Sequence, residues 1–236
     1  MDKIQLIIIG YAGCEASNFN ILDSYLGTDV ILSVIEYKGR GSRRRENYYE
    51  NCNEMIKDVA EQIERVRMSE YSYAILGYSM GAQNVYELFA NKLLKDKPVC
   101  ILVAAHEPPD VPCKAKSFSL TDNKIFLEHV KVYGGMDERL LKDERFAEIY
   151  ISRMKADFKL LKEYCFSGEY HLFPSKLIVF YCEKDTPFNK MCGWKRFVSD
   201  AICYYELGNS HFFFRTDTEE FCEIIVQEIQ TLFKRR

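Results

Sequence analysis

The stretch "YAILGYSMGAQNVYELFA", residues 73–90, changes its periodicity halfway along. Tyr73–Leu76 is a short apolar run suited to a buried strand, whereas Val85, Leu88, Phe89 and Leu93 recur at three- and four-residue spacing, on one face of a helix. Between the two lies Gly77-Tyr78-Ser79-Met80-Gly81, a G-x-S-x-G pentapeptide. In a nucleophile elbow the serine backbone is forced into a strained turn, and a side chain at either glycine would collide with the neighbouring strand and helix. The hydroxyl then projects clear of the sheet. The helix that starts there brings backbone N–H groups and a partial positive charge to any oxyanion formed beside it. The competing reading is a glycine-rich turn with an ordinary exposed serine; the strand before and the helix after favour the nucleophile.

The 236 residues, 47% of them hydrophobic, fit one domain, 1–236, of the larger α/β kind. A net charge of −3 within a well-mixed 28% of charged residues argues against nucleic acid as a partner. The first aliphatic run, Leu6 to Ile9, stops at Gly10, too short for a signal-peptide core or a membrane span, so a cytoplasmic protein is expected. Nine cysteines are scattered with no C-x-x-C pair. Reduced, mostly buried thiols are expected, with no metal site and no disulfide framework. Cys14 stands apart because it sits in the first glycine-flanked loop.

Short apolar runs at 5–9, 30–35, 73–76, 99–104, 177–182 and 203–207 read as strands. Helical periodicity fills the gaps, as with Ile56, Val59, Ile63 and Val66, and again with Phe221, Ile225, Ile229 and Leu232. This alternation predicts a mainly parallel sheet with helices on both faces. From Glu107 to Pro174 the rhythm breaks into a Pro-rich entry followed by two or three helical patterns. An insertion of this kind over the C-terminal edge of a sheet commonly acts as a lid; the alternative is a solvated helical excursion.

A serine nucleophile needs a base within reach and an acid to orient it. Of four histidines, His106 ends a strand and His129 and His171 fall within the insertion, while His211 lies in a loop between the last strand and the last helix. An α/β-hydrolase carries its base there, with chain order Ser, acid, His. The acid should follow a strand between the two: Asp185 in "KLIVFYCEKDTPF", favoured over Glu183 by the alternation of the strand and the turn-forming Asp-Thr-Pro. A second oxyanion donor is expected from the loop after the first strand, from a backbone N–H near Tyr11 or Ala12, paired with that of Met80. Arg40, Arg43, Arg44 and Arg45 follow the second strand and read as a solvated loop, or alternatively as a patch for phosphate or an acidic partner.

With these residues in place the chain resembles the external, or type II, thioesterases of nonribosomal peptide and polyketide assembly lines. "YAG" at 11–13, "KGRGSR", "GYSMGA", "GGMDERLLKDERF", "KADFKLLKEY" and "NSHFFF" match that family's segments in order along nearly the whole length. It departs at Tyr78, where the family usually has His, at Lys38 in place of a proline, at Cys14 in place of a glycine, and in "HEPPDVP". The resemblance implies an α/β-hydrolase fold with a helical lid, a Ser79, Asp185, His211 triad, and the Met80 and Ala12 amides as oxyanion hole. It also implies a cofactor-free monomer that clears short acyl or aminoacyl groups from the phosphopantetheine arm of an acyl or peptidyl carrier protein. The alternatives are a small-ester hydrolase, a fatty acyl-carrier thioesterase, or a carrier-binding module without chemistry.

Overall fold

The computed structural model describes residues 3–134 and 143–233. Part of the "GGMDERLLKDERF" segment therefore lies outside the described residues. Six strands form one sheet: β1 Ile4–Ile9, β2 Val30–Val34, β3 Ser72–Tyr78, β4 Cys100–Ala104, β5 Lys176–Tyr181 and β6 Ile202–Glu206. Their order is β2-β1-β3-β4-β5-β6, and every pairing is parallel. β1, β3, β4 and β5 are buried almost throughout, consistent with their near-continuous apolar runs.

The sequence places each strand to within a residue or two, with one instructive difference. The run expected over 73–76 extends to Tyr78, because Gly77 and Tyr78 still pair with Val103 and Ala104. The ladder thus carries the chain right up to Ser79, past the glycine at which β propensity falls away.

The helices are α1 Asp23–Leu26, α2 Cys52–Val66, α3 Met80–Ala90, α4 Asn123–Lys131, α5 Glu144–Glu163, α6 Phe188–Met191, α7 Phe213–Thr216 and α8 Thr218–Phe233. α2 starts where the Asn51 side chain accepts the Glu54 amide, and buries Met55, Ile56, Val59 and Ile63 along one stripe. It packs beside α3, while α1 packs beside α8. α3 itself lies on β1, β3 and β4. No helix among the described residues is long and apolar enough to cross a membrane.

The chain runs from β1 outward to β2, then crosses back to β3 on the other side of β1. The loops that leave β1 and β3 therefore diverge at the C-terminal edge, and such a switch point opens a crevice. Over that edge, between β4 and β5, come a 3-10 turn at Lys114–Ser117 and the helices α4 and α5. Phe118, Phe126 and Phe158 join the three, the first and third stacked at 5.4 Å between centroids. This helical cover contains no strand among its described residues. The cover leaves Ile125, Val132, Phe146 and Ile149 exposed.

Candidate active site

Ser79 sits between β3 and α3 with φ 53° and ψ −118°, a conformation a serine adopts only where its surroundings impose it. The two glycines explain the imposition. A Cβ on Gly77 would lie 2.4 Å from the Gly81 carbonyl oxygen, and one on Gly81 would lie 1.9 Å from that of Ile9. The helix start is thus pressed onto β1 at a distance only glycine permits. The Ser79 amide donates to the Ala104 carbonyl at 2.8 Å, tying the turn to β4.

His211 follows β6 and is 5% exposed. Its Nε2 lies 2.9 Å from Ser79 Oγ, and its Nδ1 lies 2.6 Å from Asp185 Oδ2. Burial would raise the Asp185 carboxyl, but the His211 bond and the Lys114 ammonium outweigh it and hold the group below the ordinary carboxylate range. An ionised Asp185 only accepts, which puts the imidazole proton on Nδ1 and leaves Nε2 free to take one from Ser79. Glu183, the rival acid, is exposed and turned away; its carboxylate accepts the Phe188 amide at 2.9 Å.

Three supporting contacts were not legible in the sequence. The Tyr78 hydroxyl donates to the His211 carbonyl at 2.6 Å, so the residue beside the serine fixes the loop of the histidine. Lys114 Nζ reaches the Asp185 carbonyl at 2.5 Å and its Oδ1 at 3.3 Å, from the 3-10 turn of the cover. Asp157, in the middle of α5, accepts two bonds from Arg40 at 2.6 and 2.7 Å and a third from the Gly13 amide at 2.6 Å. Arg40 is 0% exposed and Asp157 1%. Burial disfavours the Arg40 charge, and the Asp157 carboxylate more than offsets that.

These bonds correct two expectations. The arginine loop is not uniformly solvated: Arg40 is buried, and Arg43 is held by Asp58 and Glu46, leaving Arg44 and Arg45 exposed. All nine cysteines are free, but only Cys14, Cys100, Cys182 and Cys222 are buried; Cys165 and Cys192 are exposed. Cys14 is 2% exposed, and burial pushes its thiol up to about 12, which disfavours the thiolate.

Ser79, Ala12, Asp185 and His211 share the wall of a cavity of about 370 Å³. Tyr133, Tyr150, Met154 and Phe158 of the cover supply an apolar side. A hydroxyl held by a base, an oriented acid and a roofed, partly apolar cavity suit acyl transfer through a covalent ester.

This arrangement and the sequence together define a class. The model of the thioesterase domain matches residues 4–229, and the chain belongs to that family. Among curated relatives, the gramicidin S biosynthesis protein GrsT of Aneurinibacillus migulanus is 25% identical over 97% of this chain and 90% of its own length. Thioesterase PikA5 of Streptomyces venezuelae is 24% identical over 95% of this chain and 80% of its own length. The crystal structure of ClbQ from the colibactin NRPS/PKS pathway superposes with a TM-score of 0.87 over 100% of both chains at 21% identity. YbtT, a type II thioesterase of the yersiniabactin NRPS/PKS pathway, gives 0.83 over 98% and 95% at 18%. The fold is that of these α/β-hydrolase thioesterases.

Proposed function

We propose that this chain is an external editing thioesterase that hydrolyses acyl groups from the phosphopantetheine arm of a carrier protein in a nonribosomal peptide or polyketide synthase. The observation that carries this reading is the bonded line from Ser79 Oγ through His211 to Asp185, at the floor of a cavity roofed by helices. His211 Nε2 takes the Ser79 proton, and the alkoxide attacks the thioester carbon. The oxyanion is met by the Met80 amide at the start of α3 and by the Ala12 amide; those of Gly13 and Cys14 are already engaged by Asp157 and the Tyr11 carbonyl. His211 passes its proton to the leaving pantetheine thiolate, then draws one from water, which attacks the acyl-serine and frees the acid. The chain works as one domain and a cytoplasmic monomer, with residues 107–174 as lid. It needs no cofactor.

The test is a panel of acyl groups offered on a carrier protein, on coenzyme A, on N-acetylcysteamine and as simple esters. If the carrier contributes binding energy to catalysis, its form should exceed the N-acetylcysteamine form by at least about tenfold in kcat/KM, or ~1.4 kcal/mol. That advantage should shrink above about 0.15 M salt and on charge reversal at the exposed Arg44 and Arg45. Equal efficiency on all forms would indicate a small-ester hydrolase instead. A strong preference for long chains would indicate a fatty acyl-carrier thioesterase, and carrier binding without turnover a binding module.

A further inference from the structure

Charge in the wall of the cavity is matched almost everywhere. Glu15 pairs with Arg153 at 2.8 Å, Glu107 with Lys190 at 3.7 Å, and Asp185 with His211 at 2.6 Å and with Lys114 at 3.3 Å. The exception is Arg215 of α7, which lines the same cavity. Among the described residues no carboxylate lies within ion-pair distance of its guanidinium. Its Nη2 donates instead to the Tyr11 hydroxyl at 2.6 Å, and burial keeps that phenol neutral despite the charge beside it. The cavity therefore holds one cation that the protein itself does not neutralise, and a site of that kind is complementary to an anion.

Arg215 is exposed, but it is not a loose surface side chain. Its guanidinium carbon lies 5.8, 5.5 and 5.4 Å from the ring centroids of Tyr11, Phe212 and Phe214. Tyr11 in turn donates to Asn18 Oδ1 at 3.2 Å and meets Phe212 edge-on at 5.0 Å. The aromatic rings hold the guanidinium in place without cancelling its charge, so a ligand that uses it has little ordering left to do. The place is close to the chemistry. The ring of Phe212 touches both groups, 5.1 Å from the His211 imidazole and 5.5 Å from the guanidinium carbon, so the charge stands no more than about a ring's breadth beyond the base.

We propose that Arg215 determines specificity in this cavity, and that the acyl groups it admits best carry a second carboxylate, as in the half-thioesters of short dicarboxylic acids. The inference rests on the thioesterase reading for the reaction and adds the class of acyl group. With the thioester carbon at Ser79 Oγ, the far carboxylate accepts from the Arg215 guanidinium, and the methylenes between them lie in a cavity that Tyr150 and Met154 also line. A chain of about two to four methylenes crosses the breadth of one ring, which gives succinyl, glutaryl and adipyl groups the reach. The phosphate of the pantetheine arm does not fit the same place, since it lies two amide units and a pantoyl group beyond the sulfur and would overshoot it. A neutral acyl group of the same length leaves the guanidinium without an anion and forgoes that contact.

The experiment compares succinyl-, glutaryl- and adipyl-N-acetylcysteamine with the butyryl, pentanoyl and hexanoyl thioesters of matching length, and repeats the series on p-nitrophenyl esters. At low salt the best diacid form should exceed its neutral counterpart by at least about fivefold in kcat/KM, chiefly through KM, and the lead should shrink as salt rises past about 0.15 M. Arg215→Gln should abolish the lead and Arg215→Glu invert it, while Arg215→Lys, which keeps the charge, should retain a lead. Diacid forms no better than neutral ones in the wild-type protein would overturn the proposal, as would a lead indifferent to salt or to Arg215→Gln. An equal loss on both series in Arg215→Gln would overturn it too, because the residue would then serve the arm or the fold and not the acyl group. Turnover of the esters without the thioesters would remove the thioesterase reading and leave the acyl preference to be read on the ester series. If neither series turns over, calorimetric binding of glutarate against pentanoate, to the wild-type protein and to Arg215→Gln, decides in the same sense. Should Arg215→Gln not fold, the salt-dependent lead in the wild-type protein decides alone.

Discussion

Around Ser79 the backbone is held by lack of room: β1 and the start of α3 are so close that a single added methyl at Gly81 would lie 1.9 Å from a carbonyl oxygen. Around α5 the cover is held by side-chain contacts: the buried Arg40–Asp157 pair, the stacked Phe118 and Phe158, and the apolar Ile151, Met154, Leu160 and Leu161 that join the core. The turn tolerates only one shape, whatever the chemistry of the replacement. In the cover the constraint lies in the side chains instead, above all that no charge is left buried without its partner. On the proposed function, fixed geometry suits the serine that would have to meet its base within a fraction of an ångström, and side-chain contacts suit a cover that would open to substrate.

The largest expected effect tests the rigid side. Ser79→Ala or His211→Ala should lower hydrolysis by about 10⁴-fold or more at a nearly unchanged Tm, and Asp185→Asn should be similarly severe. Glu183→Gln should be mild, and a strong effect there would reassign the acid. On the cover side, Asp157→Ala strands the Arg40 charge and should cost about 3–5 kcal/mol in denaturant unfolding. The double change Arg40→Met with Asp157→Leu should recover most of that stability; if it does no better than the single change, the pair is not what anchors the cover. Gly81→Ala should cost about 1–3 kcal/mol through overpacking. Its failure to destabilise would mean that the turn relaxes more readily than the contact with Ile9 implies. The smallest effect is Asp143→Ala, which removes the side chain that accepts the Phe146 amide at 3.1 Å at the start of α5. It should lower stability by about 1 kcal/mol, with faster amide exchange confined to the first turn of α5.

What the sequence disclosed and what it hid divide along the same line. Ser79, Asp185 and His211 were legible as neighbours because each follows a strand whose apolar period is written locally, and parallel strands bring their C-terminal ends to one edge. Asp157 was not legible: it lies in a 20-residue helix rich in exposed charges, and only the ion pair with Arg40, from the loop after β2, makes it a buried partner. Arg40 itself read as loop surface because nothing in "KGRG" reports that α5 comes down over it. Tyr78 was visible as a departure from the family pattern. Its hydroxyl bond to His211 depends on the packing of a loop 133 residues further along, which no local pattern encodes.

The Gly13 amide donates to Asp157 rather than to any atom of its own strand or loop. If the cover acts as the proposed lid and opens by α5 lifting, that hydrogen should exchange with solvent in step with the opening. On that reading, the exchange rate of this one proton would report the population of the open form. It should match the slow amides in the middle of α5 rather than those of β1, and it should slow further when a ligand fills the cavity and holds the cover down. Since Gly13 adjoins the amide assigned to the oxyanion, each excursion of the cover would also slacken the loop that supplies that donor. Access and catalytic competence would then be two readings of a single equilibrium, in which the open molecule admits substrate and the closed molecule alone can turn it over.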